Sequence, residues 1–219
     1  MFSASYIINK IIMIPIVLIA LTVHEFCHGW VSDKLGDPTP RMAGRLSLNP
    51  LAHLDPMGAI LMILTGFGWA KPVQIDARYY KNPKTGMAVT AAAGPLSNLV
   101  LAFAAMLIYT VFFIISYKTG LFASSINTIG SILFLFARTN LCFLVFNIIP
   151  IPPLDGSRVM GLFLSTSAYF KLQQFERYSF LLIILLSFAG VFDRIIGTGV
   201  GIALTGILHV CQSIANLFV

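Results

Sequence analysis

Long apolar runs, separated by short polar and basic segments, dominate the chain. Three of them, 7–31, 87–117 and 126–149, are each long enough to cross about 30 Å of hydrocarbon as a helix. Two further apolar segments, about 178–192 and 196–218, end the chain. The pattern predicts an all-α polytopic membrane protein with a three-helix core and peripheral C-terminal helices.

The apolar segment 57–69 is too short to span. A stretch of about 10–14 apolar residues is more often re-entrant or interfacial. The residues that follow it, "AKPVQIDARYYKNPKTG", alternate between apolar and polar positions as strands do. We therefore expect 57–69 to enter the membrane halfway and to return as a small membrane-re-entrant β-hairpin. Residues 158–175 are amphipathic.

Composition agrees with this class of protein. The 219 residues are 58% hydrophobic and 10% charged, whereas about a quarter of a soluble domain is charged. The net charge of +6 comes from basic residues scattered through the turns. That placement favours anionic lipid headgroups as the partner and excludes a nucleic-acid surface, which would cluster its charge. The three cysteines show no C-x-x-C spacing and are expected to be packing residues.

The basic residues also predict the topology. The loop segments 32–55 and 70–86 hold Lys34, Arg41, Arg45, Lys71, Arg78, Lys81 and Lys84. The 117–125 loop holds Lys118 alone. By the positive-inside rule, 32–86 faces the cytoplasm and the N-terminus lies outside. We expect the first apolar run to be a retained span rather than a signal peptide. The whole chain, 1–219, is then one membrane-embedded domain, with a core of about 7–160 and C-terminal helices at about 176–218.

The segment "LTVHEFCHGW", 21–30, places three ionisable residues within membrane reach, where they are costly and usually functional. In a helix His24 and His28 lie on one face, one turn apart, so both can bind one metal ion. H-E-x-x-H is the signature of zinc hydrolases, in which the glutamate, here Glu25, acts as the general base. The motif predicts zinc chemistry.

A catalytic zinc needs a third protein ligand. His53 lies in an interface loop, and His209 stands alone on an apolar helix, where a packed residue is more common than a ligand. Asp155 follows "NIIPIPP", where prolines break a span. Two full crossings return Asp155 to the side of His28, provided that 57–69 does not cross. Asp155 is therefore the leading candidate.

Three motifs in this order carry a family resemblance: "HEFCH", "GPLSN" (94–98) and "NIIPIPPLDG" (147–156). Together they resemble the site-2 protease family of intramembrane zinc metalloproteases, over roughly residues 15–160, in a compact form without a PDZ or CBS domain. "GWAKPVQID" is similar to the family's re-entrant hairpin. The resemblance implies that His24, His28 and Asp155 ligate one zinc per chain and that Glu25 activates water.

The resemblance also implies roles for two asparagines. Asn147 matches a residue that positions substrate or stabilises the oxyanion, and Asn98 matches a substrate or hairpin contact. For Asn98 the alternative is helix packing, because "AAAGPLSN" is rich in small residues.

The function expected is hydrolysis of peptide bonds within or near transmembrane segments of membrane-anchored proteins, as in regulated intramembrane proteolysis. The protein would lie in the cell membrane, with its active site nearer the cytoplasmic side and the three long helices as its catalytic core. Its partners would be a membrane-anchored substrate and the bilayer. The unwound substrate would pair with the exposed edge of the 68–80 hairpin. The alternatives are a metal transporter, with ligands spread along a path and often with inverted repeats, and a catalytically inactive membrane scaffold.

Overall fold

The computed structural model describes residues 4–58 and 70–218, with side chains from residue 11 onward except those of residues 166 and 180. Helices account for most of this part of the chain. Their bounds are α1 (Ala4–Lys34), α2 (Thr39–Met42), α3 (Pro83–Thr119), α4 (Ile126–Ile148), α5 (Asp155–Met160), α6 (Thr166–Gln174), α7 (Glu176–Phe188) and α8 (Val191–Ala215). Short 3-10 turns lie at Pro50–Ala52 and Ala77–Tyr79.

Within the described residues, four helices are long and apolar enough to cross a membrane: α1 from Ile11 onward, α3, α4 and α8. Each carries large apolar side chains that are exposed to the surroundings, as expected for contact with lipid. These helices confirm the prediction of an all-α, multi-pass membrane protein. They extend the predicted spans 7–31 and 87–117 by a few residues at each end.

Local sequence explains where the helices that carry the site end. After α1, Gly36 adopts φ +105, a conformation that glycine tolerates readily. After α4, Pro150, Pro152 and Pro153 cannot donate to a helix and disfavour helical backbone before them. The chain therefore turns sharply, and α5 begins at Asp155. A hydrogen bond from Leu154 N to Ile151 O, 2.9 Å long, closes the turn.

The chain divides into two compact units. The first comprises Met1–Ser97 with Ile148–Glu176, and the second comprises Asn98–Asn147 with Arg177–Val219. In the second unit, α3, α4 and α8 share an apolar core of Ala102, Ala105, Met106, Ala137, Leu141, Leu144, Val200, Ile207 and Cys211. The expectation that the C-terminal helices are peripheral is therefore wrong for α8. Its Gly199 leaves room for Val145 of α4, so the two helices approach closely.

The first unit buries polar groups as well as apolar ones. Among its residues with at most 8% exposure are His24, His28, Ser32, Asp37, Thr90 and Asp155. Buried polar groups are costly unless they are paired, so this unit depends on specific hydrogen bonds to a degree that an apolar core does not.

The predicted β-hairpin is not supported. Residues 59–69 lie outside the described part of the chain. From residue 70 onward, the described residues show one isolated antiparallel bridge, between Leu54 and Ala70. Two of the backbone N–H groups that a partner strand could use are bound to side chains: Val73 N donates to Glu25 Oε2 (3.1 Å) and Asp76 N to Asp37 Oδ2 (2.9 Å). Pro72 has no N–H to offer.

The amphipathic segment 158–175 forms two helices rather than one. Helix α5 ends at Met160, and α6 begins after Ser165, whose hydroxyl accepts a hydrogen bond from Ala168 N at 3.3 Å. A serine in this position is a preferred helix N-cap, so the segment is divided by its own sequence.

Candidate metal centre

Helix α1 presents His24 and His28 on the same face, as their spacing predicts. Both side chains are buried, and their Nε2 atoms lie 3.0 Å apart. Nδ1 of His28 lies 2.7 Å from the backbone oxygen of Thr90 on α3. A carbonyl oxygen can only accept, so Nδ1 carries the proton. In the neutral imidazole the Nε2 lone pair is then available to a metal ion.

Asp155 is the first residue of α5, directly after the proline-rich turn that follows α4, and its side chain contacts the two histidines. Its Oδ2 lies 3.2 Å from Nε2 of His24 and 3.2 Å from Nε2 of His28. Gly156 makes this approach possible, because a Cβ at that position would lie 2.0 Å from the backbone oxygen of Ile148. The glycine of "PLDG" thus lets α5 begin close against the end of α4.

The three donor atoms suit zinc. Ligand bonds of about 2.0–2.2 Å place neighbouring ligands of a tetrahedral zinc ion roughly 3.3–3.6 Å apart, close to the 3.0 and 3.2 Å observed. Oδ2 of Asp155 is buried and accepts no well-directed hydrogen bond among the described residues.

Gly94 of α3 gives the two imidazole rings their space. A Cβ at this position would lie 2.4 Å from Nε2 of His28 and 2.6 Å from Nε2 of His24. Real side chains do not approach this closely, so any larger residue would push the rings apart. The "GPLSN" motif does not by itself reveal this role. The only sequence signal was a glycine in the interior of a long helix, which normally costs stability.

Glu25 follows His24 on α1 and is half-buried. Its Oε2 accepts the hydrogen bond from Val73 N, which fixes the carboxylate from outside its own helix. The cluster of possible ligand atoms consists of His24, His28 and Asp155 and does not include Glu25. A carboxylate that is held next to a metal site without belonging to the ligand cluster is placed as a general base would be.

The chain is similar to two known proteins. The chain is 35% identical over 169 residues to "Putative zinc metalloprotease YwhC" of Bacillus subtilis, which covers 77% of this chain and 76% of the relative. The chain belongs to the site-2 protease family. A second relative of the family is "Putative zinc metalloprotease Rip2" of Mycolicibacterium smegmatis, 26% identical over 87% of this chain and 71% of the relative. No protein-family model and no solved structure matches the chain.

The other two histidines do not belong to this cluster of possible ligands. His53 is buried, and its Nε2 donates to Ser47 O at 2.7 Å, which ties it into the loop that follows α2. His209 is exposed on α8, so the expectation of a packed residue is wrong there. Cys27 lies between the two histidines but is not part of the ligand cluster, and all three cysteines are free thiols.

The two asparagines suggested by the resemblance lie in the second unit. Asn98 is fully buried, and its Nδ2 donates to Oδ1 of Asn140 on α4 at 2.9 Å. This bond joins two helices, which is the packing alternative for Asn98. Nδ2 of Asn147 donates to Phe143 O, one turn earlier in α4, at 3.0 Å. A role of either residue toward substrate stays a prediction.

Proposed function

We propose that the protein is an intramembrane zinc metalloendopeptidase, which hydrolyses peptide bonds within or near transmembrane segments of membrane-anchored proteins. The observation that carries this proposal is the convergence of Nε2 of His24, Nε2 of His28 and Oδ2 of Asp155 within 3.2 Å of one another. Glu25 is the neighbour of His24 on α1. The names of the two relatives support metalloprotease activity. The apolar helices support a reaction at the membrane.

The residues have separate roles in this reaction. His24, His28 and Asp155 would hold the zinc ion, which when bound would lower the pKa of a water molecule toward about 7 and polarise the scissile carbonyl. Glu25 takes the proton from the attacking water and delivers it to the leaving amine. The hydrogen bond from Val73 N keeps the Glu25 carboxylate in place. Asn147 remains the candidate for substrate positioning or oxyanion stabilisation, and Asn98 for a substrate contact.

We propose further that the site lies nearer the cytoplasmic side of the cell membrane and serves regulated intramembrane proteolysis. Ser32, Asp37 and the basic loops follow the histidines directly at the end of α1. Positive loops are retained in the cytoplasm, which supports this orientation.

Both alternatives explain the geometry less well. A transporter needs ligands that succeed one another along a path, whereas the three donors here meet at one point. A catalytically inactive scaffold would have no need of a carboxylate held beside intact ligands.

The decisive experiment uses the 219-residue chain in detergent with a model single-span substrate and four variants. Glu25→Gln should bind stoichiometric zinc yet lose cleavage by about 10²–10⁴-fold, because it keeps the shape and removes the base. His24→Ala and Asp155→Ala should lose both zinc and cleavage. Glu176→Gln changes an exposed glutamate of α7 and is the matched control, with zinc content and rate unchanged.

Metal analysis and mass spectrometry of the cleaved substrate provide the two readouts. Near-wild-type turnover by Glu25→Gln would rule out the mechanism. Full zinc retention by both ligand variants would place the metal elsewhere. Cleavage that a chelator abolishes and added zinc restores would separate the enzyme from a scaffold.

A further inference from the structure

A buried chain of hydroxyl groups runs through the first unit. It links Thr90 of α3, Tyr80, Ser32 of α1 and Asp37. Tyr80 is 5% exposed, and the other three residues are fully buried. Thr90 Oγ1 lies 3.1 Å from Tyr80 Oη, Tyr80 Oη lies 2.6 Å from Ser32 Oγ, and Ser32 Oγ donates to Asp37 Oδ2 at 2.8 Å. Four separate segments of the chain thus share one hydrogen-bonded network.

The proton positions in this network follow from its end. An ionised Asp37 can only accept, so Ser32 must donate to it. Each hydroxyl has a single proton, so Tyr80 donates to Ser32 and Thr90 donates to Tyr80. Burial is the largest influence on Tyr80 and raises its pKa, which keeps its proton available. The chain of bonds therefore has one direction, and its members polarise one another.

One end of the network reaches the metal centre through His28. Thr90 contacts Tyr80 through its side-chain hydroxyl, and its backbone oxygen accepts a hydrogen bond from Nδ1 of His28. A displacement of Thr90 would move the acceptor that sets the orientation and tautomer of the imidazole. Such outer partners of metal-ligating histidines typically affect metal affinity or activity by about 10–100-fold.

The other end reaches Glu25. Asp37 Oδ2 also accepts from Asp76 N at 2.9 Å, while Oδ1 accepts from Thr39 N at 2.9 Å. Three residues before Asp76, Val73 N donates to the Glu25 carboxylate. The segment 73–76 is thus fastened at one end to the proposed general base and at the other end to Asp37.

The packing around Tyr80 is equally specific. A Cβ at position 86 would lie 2.3 Å from the Tyr80 ring, so Gly86 of α3 is the residue that admits the ring. An apolar cluster could fill this space at lower desolvation cost, but it would not fix the direction of any group. The polar cluster therefore supplies orientation.

We propose that Ser32, Asp37, Tyr80 and Thr90 form a positioning network that orients His28 and Glu25 together. The inference rests on the proposed function, since it assigns His28 to zinc and Glu25 to proton transfer. None of the four side chains is a ligand or a catalytic residue. They act through the Thr90 carbonyl and through the segment 73–76.

The first test compares Tyr80→Phe with Tyr79→Phe. Tyr80→Phe keeps the ring and removes the hydroxyl that joins Thr90 to Ser32. Tyr79 is 53% exposed and provides the matched control. Zinc affinity, measured by competition with a chromophoric chelator, should fall about tenfold or more in Tyr80→Phe, the range seen for outer partners of ligands, and should be unchanged in Tyr79→Phe.

A second pair of variants tests the Thr90 hydroxyl and separates its loss from a general loss of the fold. Thr90→Ser retains the donor and should keep wild-type zinc affinity, whereas Thr90→Val has a similar shape without it and should resemble Tyr80→Phe. Asp37→Asn, assayed at saturating zinc, should lower kcat with little change in KM, because it disturbs the segment that holds Glu25. Unchanged zinc affinity in both Tyr80→Phe and Thr90→Val would overturn the proposal, even if their melting temperatures fell.

The readouts distinguish this inference from the proposed function. If the wild-type protein binds zinc but cleaves no substrate, the proposed function fails, while a weaker zinc affinity in Tyr80→Phe still supports the network. If cleavage occurs and depends on Glu25 but the network variants match wild type in zinc affinity and kcat, the network alone is rejected.

Discussion

At the scale of single residues, the site depends on two positions without a side chain as much as on the three possible ligands. Nε2 of His24 and Nε2 of His28 approach to 3.0 Å because position 94, on the facing helix, has no side chain. Asp155 reaches them because position 156 also lacks one. Both glycines are required by close approach, not by a turn.

Gly94→Ala should therefore impair zinc binding. The added Cβ would lie 2.4 Å from Nε2 of His28, and overpacking of this kind typically costs about 1–3 kcal/mol. Zinc affinity should fall on the order of tenfold to hundredfold, as measured by chelator competition. Gly206→Ala on α8 is the control, because nothing lies within 4 Å of its added Cβ. Equal zinc affinity in the two variants would contradict the steric argument.

The sequence predicted the residues of the site more completely than their supports. His24 and His28 follow from helical spacing, which is local and fixed by geometry. Asp155 needed a topological argument together with the family resemblance. Gly94, Val73 and the Thr90 carbonyl went unrecognised, because a backbone group or a missing side chain gives no signal until the tertiary contact is known.

At the scale of elements, the wrong prediction of the hairpin has the same cause: the sequence shows local preferences but not the tertiary contacts of backbone groups. The alternation in "PVQID" is typical of a strand, but a strand needs partners for its backbone. In this protein two of those donors, Val73 N and Asp76 N, are bound to carboxylates of α1 and of the turn that follows it. Helices were predicted more reliably, because their hydrogen bonds are internal and depend on the local sequence alone.

Asp37 joins these elements and should make the stability of the fold sensitive to acid. Burial acts to raise its pKa, but hydrogen bonds from Thr39, Asp76 and Ser32 lower it below the ordinary value. The unfolded carboxyl has a pKa of about 3.9. The stabilising contribution of Asp37 is therefore fully present above that value and is lost as pH falls through the lower folded-state pKa.

The expected result is a melting temperature that is lower in Asp37→Asn than in wild type at pH 7, with the difference shrinking below about pH 4. Thermal unfolding in a detergent stable to acid provides the measurement. Asp193→Asn changes an exposed carboxylate of α8 and should follow the wild-type curve. A difference that stays constant from pH 7 to pH 3 would show that ionised Asp37 is not the stabilising species.

At the scale of the whole molecule, the two units are stabilised by different kinds of interaction. The second packs small and apolar side chains of three long helices. The first buries histidines, carboxylates and hydroxyl groups in its interior. Hydropathy predicts the helices of both, because lipid contact dominates their composition. It does not reveal the polar network, whose members are scattered from residue 32 to residue 90.

The proposed activity makes a demand on the substrate. In an intact helix the carbonyl groups are engaged in i→i−4 hydrogen bonds, so a transmembrane segment must unwind locally before it can be cut. Pairing with a hairpin edge is no longer the expected mode, since the N–H groups of Val73 and Asp76 are already bound. Because local unwinding is needed in any case, substrates should carry Gly, Pro or Asn near the cut, in the cytoplasmic half of their span.

Stiffening the substrate tests this demand directly. Replacing two glycines near the cut with leucine adds somewhat under 1 kcal/mol of helix preference each, which should slow cleavage by on the order of tenfold, since about 1.4 kcal/mol corresponds to a factor of ten. The same replacements in the opposite half of the span are the control and should leave the rate unchanged. Rates and cut positions are read by mass spectrometry. Undiminished cleavage of the stiffened segment would contradict local unwinding while leaving the metal centre in place.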